Sequence, residues 1–202
     1  RVDYRNNVIY NWGGNSAYGG EAAGKYNMVA NYYKYGPASS NKSRIVQISI
    51  DKGTNITPRY GKFYITDNYV HGNTTATNNN WNGGVNYDSG VTQALARVDE
   101  PFEYIPIRQH TAEKAFEKVL AYGGASLVRD AVDTRIAGEV QNGTYTHTGS
   151  DTGKKGIIDS QNDVGGRPAY NSTTAPTDSD RDGLPDGWLD EHYPVKTANE
   201  LN

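Results

Sequence analysis

The sequence predicts an all-β fold: a partial parallel β-helix solenoid, braced by C-terminal helices and followed by an irregular acidic tail. Three observations lead there. Of the 20 Asn in 202 residues, 15 fall in residues 1–90 and 5 in residues 91–202, so the chain has two compositional regimes. Within the first, Tyr4–Tyr10, Met28–Lys34 and Ile65–Val70 look alike, each setting an Asn among β-branched and aromatic residues. Apolar residues at helical spacing begin only after Thr111.

The look-alike segments come first in the chain. Asn7 to Asn31 is a step of 24 residues and Asn31 to Asn68 a step of 37, one coil and one coil with an insertion. Periods of roughly 20–30 residues mark strand-and-turn solenoids. A side-chain amide carries both donors and acceptors, so Asn at equivalent corners can bond along the stack. Three unrelated hairpins with Asn at their turns remain the plainer alternative. Ser43–Ile50 and Lys62–Val70 alternate as strands do. His71–Asp88 reads as a polar excursion. Thr111 looks like an N-cap, with Ala112, Ala115, Phe116, Val119 and Leu120 on one stripe and Gly123-Gly124 as the stop. A second helix is expected after Ser126, its stripe made by Val128, Val132, Ile136 and Val140, with Arg129 pairing with Asp133. These helices are expected to brace the last coil, whose edge needs cover. Residues 143–175, rich in Gly, Thr and Asp, are expected to be irregular. The resulting division is 1–108 for the coils, 109–176 for the brace and 177–202 for the tail.

Composition narrows function. Lys and Arg number 20 against 23 Asp and Glu, a net charge of −3 that argues against a nucleic-acid or anionic-membrane binder. No Cys is present, which removes disulfides, thiolate zinc and a cysteine nucleophile. No apolar run approaches the roughly 18 residues of a membrane span. The hydrophobic fraction is only 35%, yet Tyr supplies 16 residues and Gly 23, a chain that packs through aromatics and turns.

Two stretches carry chemistry. Asp178-Ser179-Asp180-Arg181-Asp182-Gly183-Leu184-Pro185-Asp186 follows a DxDxDGxxD spacing. Carboxylates of Asp178, Asp180, Asp182 and Asp186, with the Leu184 carbonyl, form the oxygen-rich set a hard cation such as Ca²⁺ requires, and Gly183 permits the sharp turn. Leu189 stands where such a loop has a bidentate Glu; Asp190 is the nearest substitute. The plainer alternative is a solvated acidic linker. The second stretch, Arg1 to Glu21, crowds aromatics, cations and amides near one coil edge. Arg5, Trp12, Tyr18 and Glu21 are candidate sugar contacts, aromatic faces taking C–H surfaces and polar groups taking hydroxyls and carboxylates. Tyr4, Val8 and Tyr10 are expected to fill the core. The four His are scattered, and no GxSxG, P-loop or HExxH occurs.

The block VDYRNNVIYNWGGNSAYGGE, with Asn31–Pro37, resembles pectate lyases of polysaccharide lyase family 1, in their bacterial, secreted branch. Leu127–Ile136 and Gly156–Gly166 extend the similarity, while Arg167 departs where Trp is expected before Pro168. The resemblance implies a right-handed parallel β-helix, calcium-dependent β-elimination of polygalacturonate, and a secreted or periplasmic location. It also implies that the catalytic Arg and the calcium-binding Asp cluster lie upstream of the segment matched here. The chain, opening on Arg1 rather than Met, is therefore expected to be the C-terminal portion, its missing N-terminal part being the partner that completes the enzyme. A non-catalytic carbohydrate-binding or structural β-helix is the alternative, and no carboxylate pair suggests a glycoside hydrolase.

Overall fold

The computed structural model describes residues 1–171 and 173–194; of the expected 177–202 tail, residues 195–202 lie outside the described residues. The chain divides into two compact units, Arg1–Pro168 and Ala169–Asn202. The first holds nine short strands: β1 (Val2–Arg5), β2 (Val8–Tyr10), β3 (Tyr18–Gly19), β4 (Lys25–Val29), β5 (Tyr32–Lys34), β6 (Val46–Ile48), β7 (Lys62–Thr66), β8 (Tyr69–Val70) and β9 (Val85–Tyr87). They form three three-stranded parallel sheets: sheet 1 (β1-β4-β7), sheet 2 (β2-β5-β8) and sheet 3 (β3-β6-β9). Three successive circuits of chain thus give one strand to each sheet, an arrangement compatible with a parallel β-helix.

Register explains why the Asn steps recur. Tyr4 pairs with Met28 and Met28 with Ile65, offsets of 24 and 37 that match the spacing of Asn7, Asn31 and Asn68. The amides form the ladder that spacing suggests. Asn7 Nδ2 donates to Asn31 Oδ1, Asn31 Nδ2 to Asn68 Oδ1 and Asn68 Nδ2 to Asn80 Oδ1, each at 2.9 Å. Each accepting oxygen also takes the backbone N–H of the rung before it, at 2.9–3.0 Å. Burial of Asn31 and Asn68 is tolerable because every polar atom of the amide is used. The residue before each of the first three rungs, Asn6, Ala30 and Asp67, is left-handed, at φ of 53°, 51° and 59°. That corner splits Lys62–Val70, expected as one strand, into β7 and β8.

Inside the circuits, Tyr33, Ile45, Ile48, Phe63, Ile65 and Val70 are buried, with Tyr4 and Ile9 packed against them. Aromatics stack from circuit to circuit: Tyr26 lies on Phe63 at 4.5 Å and Tyr32 on Tyr69 at 4.7 Å. Because Ile9 faces in with its partner Tyr33, the alternating Val8 and Tyr10 face out, against the core role expected for them. The Tyr10 hydroxyl donates to the Thr144 carbonyl instead. The stretch expected as a polar excursion contains helix α1 (Thr74–Asn78), buried Trp81 and β9; its Trp81 Nε1 donates to Ile65 O at 3.1 Å.

After a short helix α2 (Gln93–Ala96), the chain crosses the outer face of sheet 1 as an extended strap to residue 110. Two Asn side chains hold it as a neighbouring strand would. Asn27 exchanges two hydrogen bonds with the Phe102 backbone, and Asn6 exchanges two with His110, all at 2.9 Å. Helix α3 (Ala112–Tyr122) starts where expected, the Thr111 hydroxyl accepting from Lys114 N–H. Replacing Thr111 by Ala is expected to cost about 1 kcal/mol in urea unfolding, the usual value of a lost N-cap.

The brace differs from expectation in two respects. Helix α4 runs over Ala131–Asn142, not from Ser126, because the Asp130 side chain caps it by accepting from Asp133 N–H; Leu127 and Val128 are solvent-exposed. Arg129 does not pair with Asp133 but donates to the Leu120 and Gly123 carbonyls at the end of α3, where a cation complements the helix terminus. The helices also rest mainly on the earlier circuits. α3 packs on β2 and β5, the first and middle strands of sheet 2, and Phe116 stacks on Tyr32 at 4.3 Å. Lys34, buried at 7% exposure, reaches the Gln141 carbonyl at 2.8 Å and so ties α4 to the same sheet. Residues 143–168 are largely irregular, pinned by turns: N–H donation first from Asp159 and then hydrogen bonding with Ser150 hold the Asp163 carboxyl down to about 2.

Candidate functional site

The three sheets differ in what covers their outer faces. Sheet 1 lies under the strap and sheet 2 under α3 and α4, whereas sheet 3 presents Tyr18 at 74% exposure. The pairing of Tyr18 with Gln47 and of Gln47 with Asn86 makes a column of outward side chains running across all three circuits. Val46, Val85 and Ile48 alternate with them and point into the core. Arg44 stands beside this column, its Nε 3.1 Å from Asn86 Oδ1 and its Nη1 donating to Asn15. Gln47 donates to Asp88 at 2.9 Å.

Glu21 sits just past β3. Its carboxylate accepts the Tyr26 hydroxyl at 2.7 Å, and both line a hollow of about 360 Å³ with Tyr18 and Asp51. Tyr18 and Glu21 are therefore brought together, on a surface whose aromatic and polar groups suit sugar rings. Sequence reading missed Arg44, Gln47 and Asn86. The steps that align Gln47 and then Asn86 with Tyr18, 29 and 39 residues, differ from those of the Asn ladder because different loops intervene.

Arg5 and Trp12 are placed elsewhere. Arg5 leaves β1 on the sheet 1 side and lies under the strap, its side chain only 4% exposed. Its Nε bonds Asp3 at 2.7 Å, Nη1 bonds Gln109 at 2.7 Å, and the guanidinium stacks 3.8 Å over the Tyr104 ring. Such a geometry fastens the strap. Trp12 packs against the core, edge-on to Tyr33 at 6.4 Å, with its indole N–H on the Ser40 carbonyl.

The second unit carries the acidic loop. Asp178, Asp180 and Asp182 bring carboxylate oxygens within 4.8 Å of one another, and among the described residues no other group of three His, Cys, Asp or Glu does so. The loop closes on itself: Asp178 accepts the N–H groups of Arg181 and Gly183, Asp182 accepts that of Leu184, and Gly183 adopts φ +92°. Among the described residues, the buried Asp182 Oδ2 has no hydrogen-bond partner. Asp186 and Asp190 stand outside the group. Asp186 opens helix α5 (Asp186–His192) and binds the Ser179 hydroxyl and N–H, which lower its pKa. The donor set fits a hard cation, with three carboxylates converging around an unsatisfied oxygen.

Among the described residues, no helix is long and apolar enough to cross a membrane. No family model matches the chain. Known proteins do. The protein named probable pectate lyase C from Aspergillus terreus is 33% identical over 189 residues, 91% of this chain. Those of the same name from Aspergillus flavus and Aspergillus oryzae are 32% and 31% identical, again over 91% of this chain. These relatives are fungal, where the sequence resemblance pointed to a bacterial branch. The chain spans about 40% of the length of each of the three. Over nearly all of its own length, then, the chain is a relative of proteins named probable pectate lyase C.

Proposed function

We propose that this chain is the C-terminal portion of a secreted pectate lyase-like protein with a right-handed parallel β-helix, acting on polygalacturonate by calcium-dependent β-elimination. The similarity to proteins named probable pectate lyase C over 91% of the chain carries this reading. The open face of sheet 3 supports it by offering a polymer a bare aromatic, Tyr18, and a cation, Arg44, bonded to Asn86 of the same sheet.

In this reading Tyr18 holds a sugar face, Arg44 draws a uronate carboxylate, and Gln47, Asn86 and Glu21 bond hydroxyls. β-Elimination needs a base for the proton beside the uronate carboxylate and a cation to neutralise that carboxylate; calcium supplies the second when bound. The sheet 3 face, among the described residues, has no cluster of three carboxylates to hold it. Base and catalytic calcium ligands are accordingly assigned to the upstream portion. Arg5, enclosed beneath the strap, is assigned to positioning rather than substrate contact, and Trp12 to packing. The loop of Asp178, Asp180 and Asp182 is a separate calcium site that organises the second unit.

Calorimetry with unesterified oligogalacturonate tests the binding face. Tyr18→Ala is expected to weaken binding about tenfold, equivalent to about 1.4 kcal/mol of lost ring contact. Unchanged affinity would remove the face from the proposal. Ultraviolet absorbance of unsaturated uronate products, followed with polygalacturonate and calcium, tests the chemistry. The chain alone is expected to form none, and robust product formation would show that it holds its own base.

A further inference from the structure

Sheet 2 carries a basic pair that neither the sheet 3 face nor the acidic loop uses. Lys34 on β5 is in register with Tyr10 on β2. The next position of that column is His71, just past β8, whose N–H donates to the Tyr33 carbonyl at 2.9 Å as a continuing strand would. Tyr33 and Val70 point into the core, so Lys34 and His71, which follow them, are neighbours on the outer side of the sheet. Lys34 is buried, and among the described residues it pairs with no carboxylate. Its ammonium donates to the Gln141 carbonyl at 2.8 Å and lies 5.2 Å from the Phe116 ring centroid. That carbonyl belongs to the last turn of α4, where a helix presents its negative pole. The His71 Nδ1 is buried with no hydrogen-bond partner among the described residues, and the Tyr35 ring lies 5.6 Å from the imidazole.

The element tied down by Lys34 has few other anchors. Helix α4 fully buries no apolar side chain, and its one buried residue is Glu139. Just past it, the Tyr10 hydroxyl donates to the Thr144 carbonyl. A helix so lightly packed belongs to the part of a structure that opens locally at low cost.

The surroundings make a second positive charge costly. Burial first, and then Lys34, disfavours the His71 imidazolium. Lys42, 4.7 Å over the Tyr35 ring, adds a further cation on that side. The charged groups of the packed helices are engaged elsewhere. On α4, Glu139 pairs with Arg135 at 3.0 Å and Asp133 accepts the Ala125 N–H. On α3, Lys114 pairs with Glu117, Glu113 lines a hollow with Asp67, and Lys118, after desolvation, acts on His110. Helix α1 has no titratable residue. We propose that Lys34 and His71 form an acid-sensitive latch, in which a proton on His71 sets a second cation beside Lys34 and frees α4 from sheet 2.

Linkage sets the sign. With α4 free, His71 meets water and takes its proton near the ordinary value of about 6.5, more readily than in the closed state. The latch is therefore intact above that pH and weakens as pH falls below it.

Hydrogen exchange of the full chain, corrected for the intrinsic pH dependence of amide exchange, would be followed from about pH 7.5 to about pH 5, above the ordinary carboxylate range. The α4 amides are expected to lose protection by at least about threefold while those of β4 hold theirs. His71→Gln keeps a polar side chain that takes no proton and should abolish the loss, whereas His110→Asn and His147→Asn should retain it. Lys34→Met should loosen α4 across the whole range, because the tie to Gln141 is gone. Titration of the His71 imidazole by NMR in the unsubstituted chain is a second reading, and a midpoint at or above the ordinary value would overturn the proposal. So would α4 protection indifferent to pH, a loss that survives His71→Gln, or one that vanishes with His110→Asn or His147→Asn. No carbohydrate enters the experiment, so its outcome is independent of the sheet 3 binding face.

Discussion

Asn31→Ala is expected to lower the stability of the first unit by about 3–5 kcal/mol, because it removes a fully used buried amide and leaves its partners unsatisfied. Asn31 is 0% exposed. Its Oδ1 accepts from the Asn7 N–H and the Asn7 amide, and its Nδ2 donates to the Tyr4 carbonyl and Asn68 Oδ1. Alanine leaves the Asn7 N–H and the Tyr4 carbonyl without that partner in a space too tight for easy rehydration. Each buried orphan costs roughly 1–3 kcal/mol, and the vacated volume adds to it. Against a typical total of about 5–15 kcal/mol, that is a large fraction. Hydrogen exchange of the β4 and β5 amides reports on this unit directly, so unfolding of the other does not confuse the reading. Asn142→Ala, at an exposed helix end, is the comparison and is expected to stay within about 0.5 kcal/mol. A loss below about 1 kcal/mol for Asn31→Ala would show that the ladder follows from the stacking of circuits and does little to hold them.

The ladder was legible because its spacing and the strand register are one quantity. An Asn that bonds its counterpart one circuit on must recur at the circuit length, and 24 and 37 are both the Asn steps and the offsets of sheets 1 and 2. Asn80 was not legible as the last rung. It follows Asn68 by only 12 residues, in the turn just past α1 rather than on a fourth strand, so no period announces it. The strap was hidden for a related reason: residues 98–110 have no regular hydrogen bonding of their own and take their course from Asn6, Asn27 and Phe63, distant in sequence. Arg5 shows the consequence. Its residue type and place in an aromatic block suggest sugar contact, but the strap that encloses it cannot be inferred from neighbours. Conversely, the acidic loop is local: Asp178, Asp180 and Asp182, close in sequence, lie together, while the Asp186 carboxylate accepts from the Ser179 hydroxyl and N–H.

Asp182→Asn is expected to act with opposite signs in the absence and presence of calcium. Without the ion, three carboxylates whose oxygens lie within 4.8 Å repel one another, and neutralising one relieves that repulsion. Asparagine retains the Oδ1 acceptor that takes the Leu184 N–H, so the turn itself is preserved. The calcium-free variant should therefore melt at or above the temperature of the parent. With calcium the order reverses. The buried Asp182 Oδ2, without a partner among the described residues, is the oxygen that an amide nitrogen cannot replace, and affinity should fall by about two orders of magnitude, as charge count governs sites of this kind. At calcium one hundred times its dissociation constant the parent gains about 2.7 kcal/mol by linkage, and the variant gains almost none. Trp188, 40% exposed on α5 and stacked 4.4 Å from His192, lies four residues past Pro185 or fewer and gives a fluorescence reading within the same unit. A solvated acidic turn that holds no metal shows only the first effect, since relief of repulsion needs no ion. A turn whose carboxylates serve the fold alone shows destabilisation in both conditions. Only a cation site gives stabilisation without calcium and a lost response with it, which makes the pair of signs a stricter test than either titration by itself.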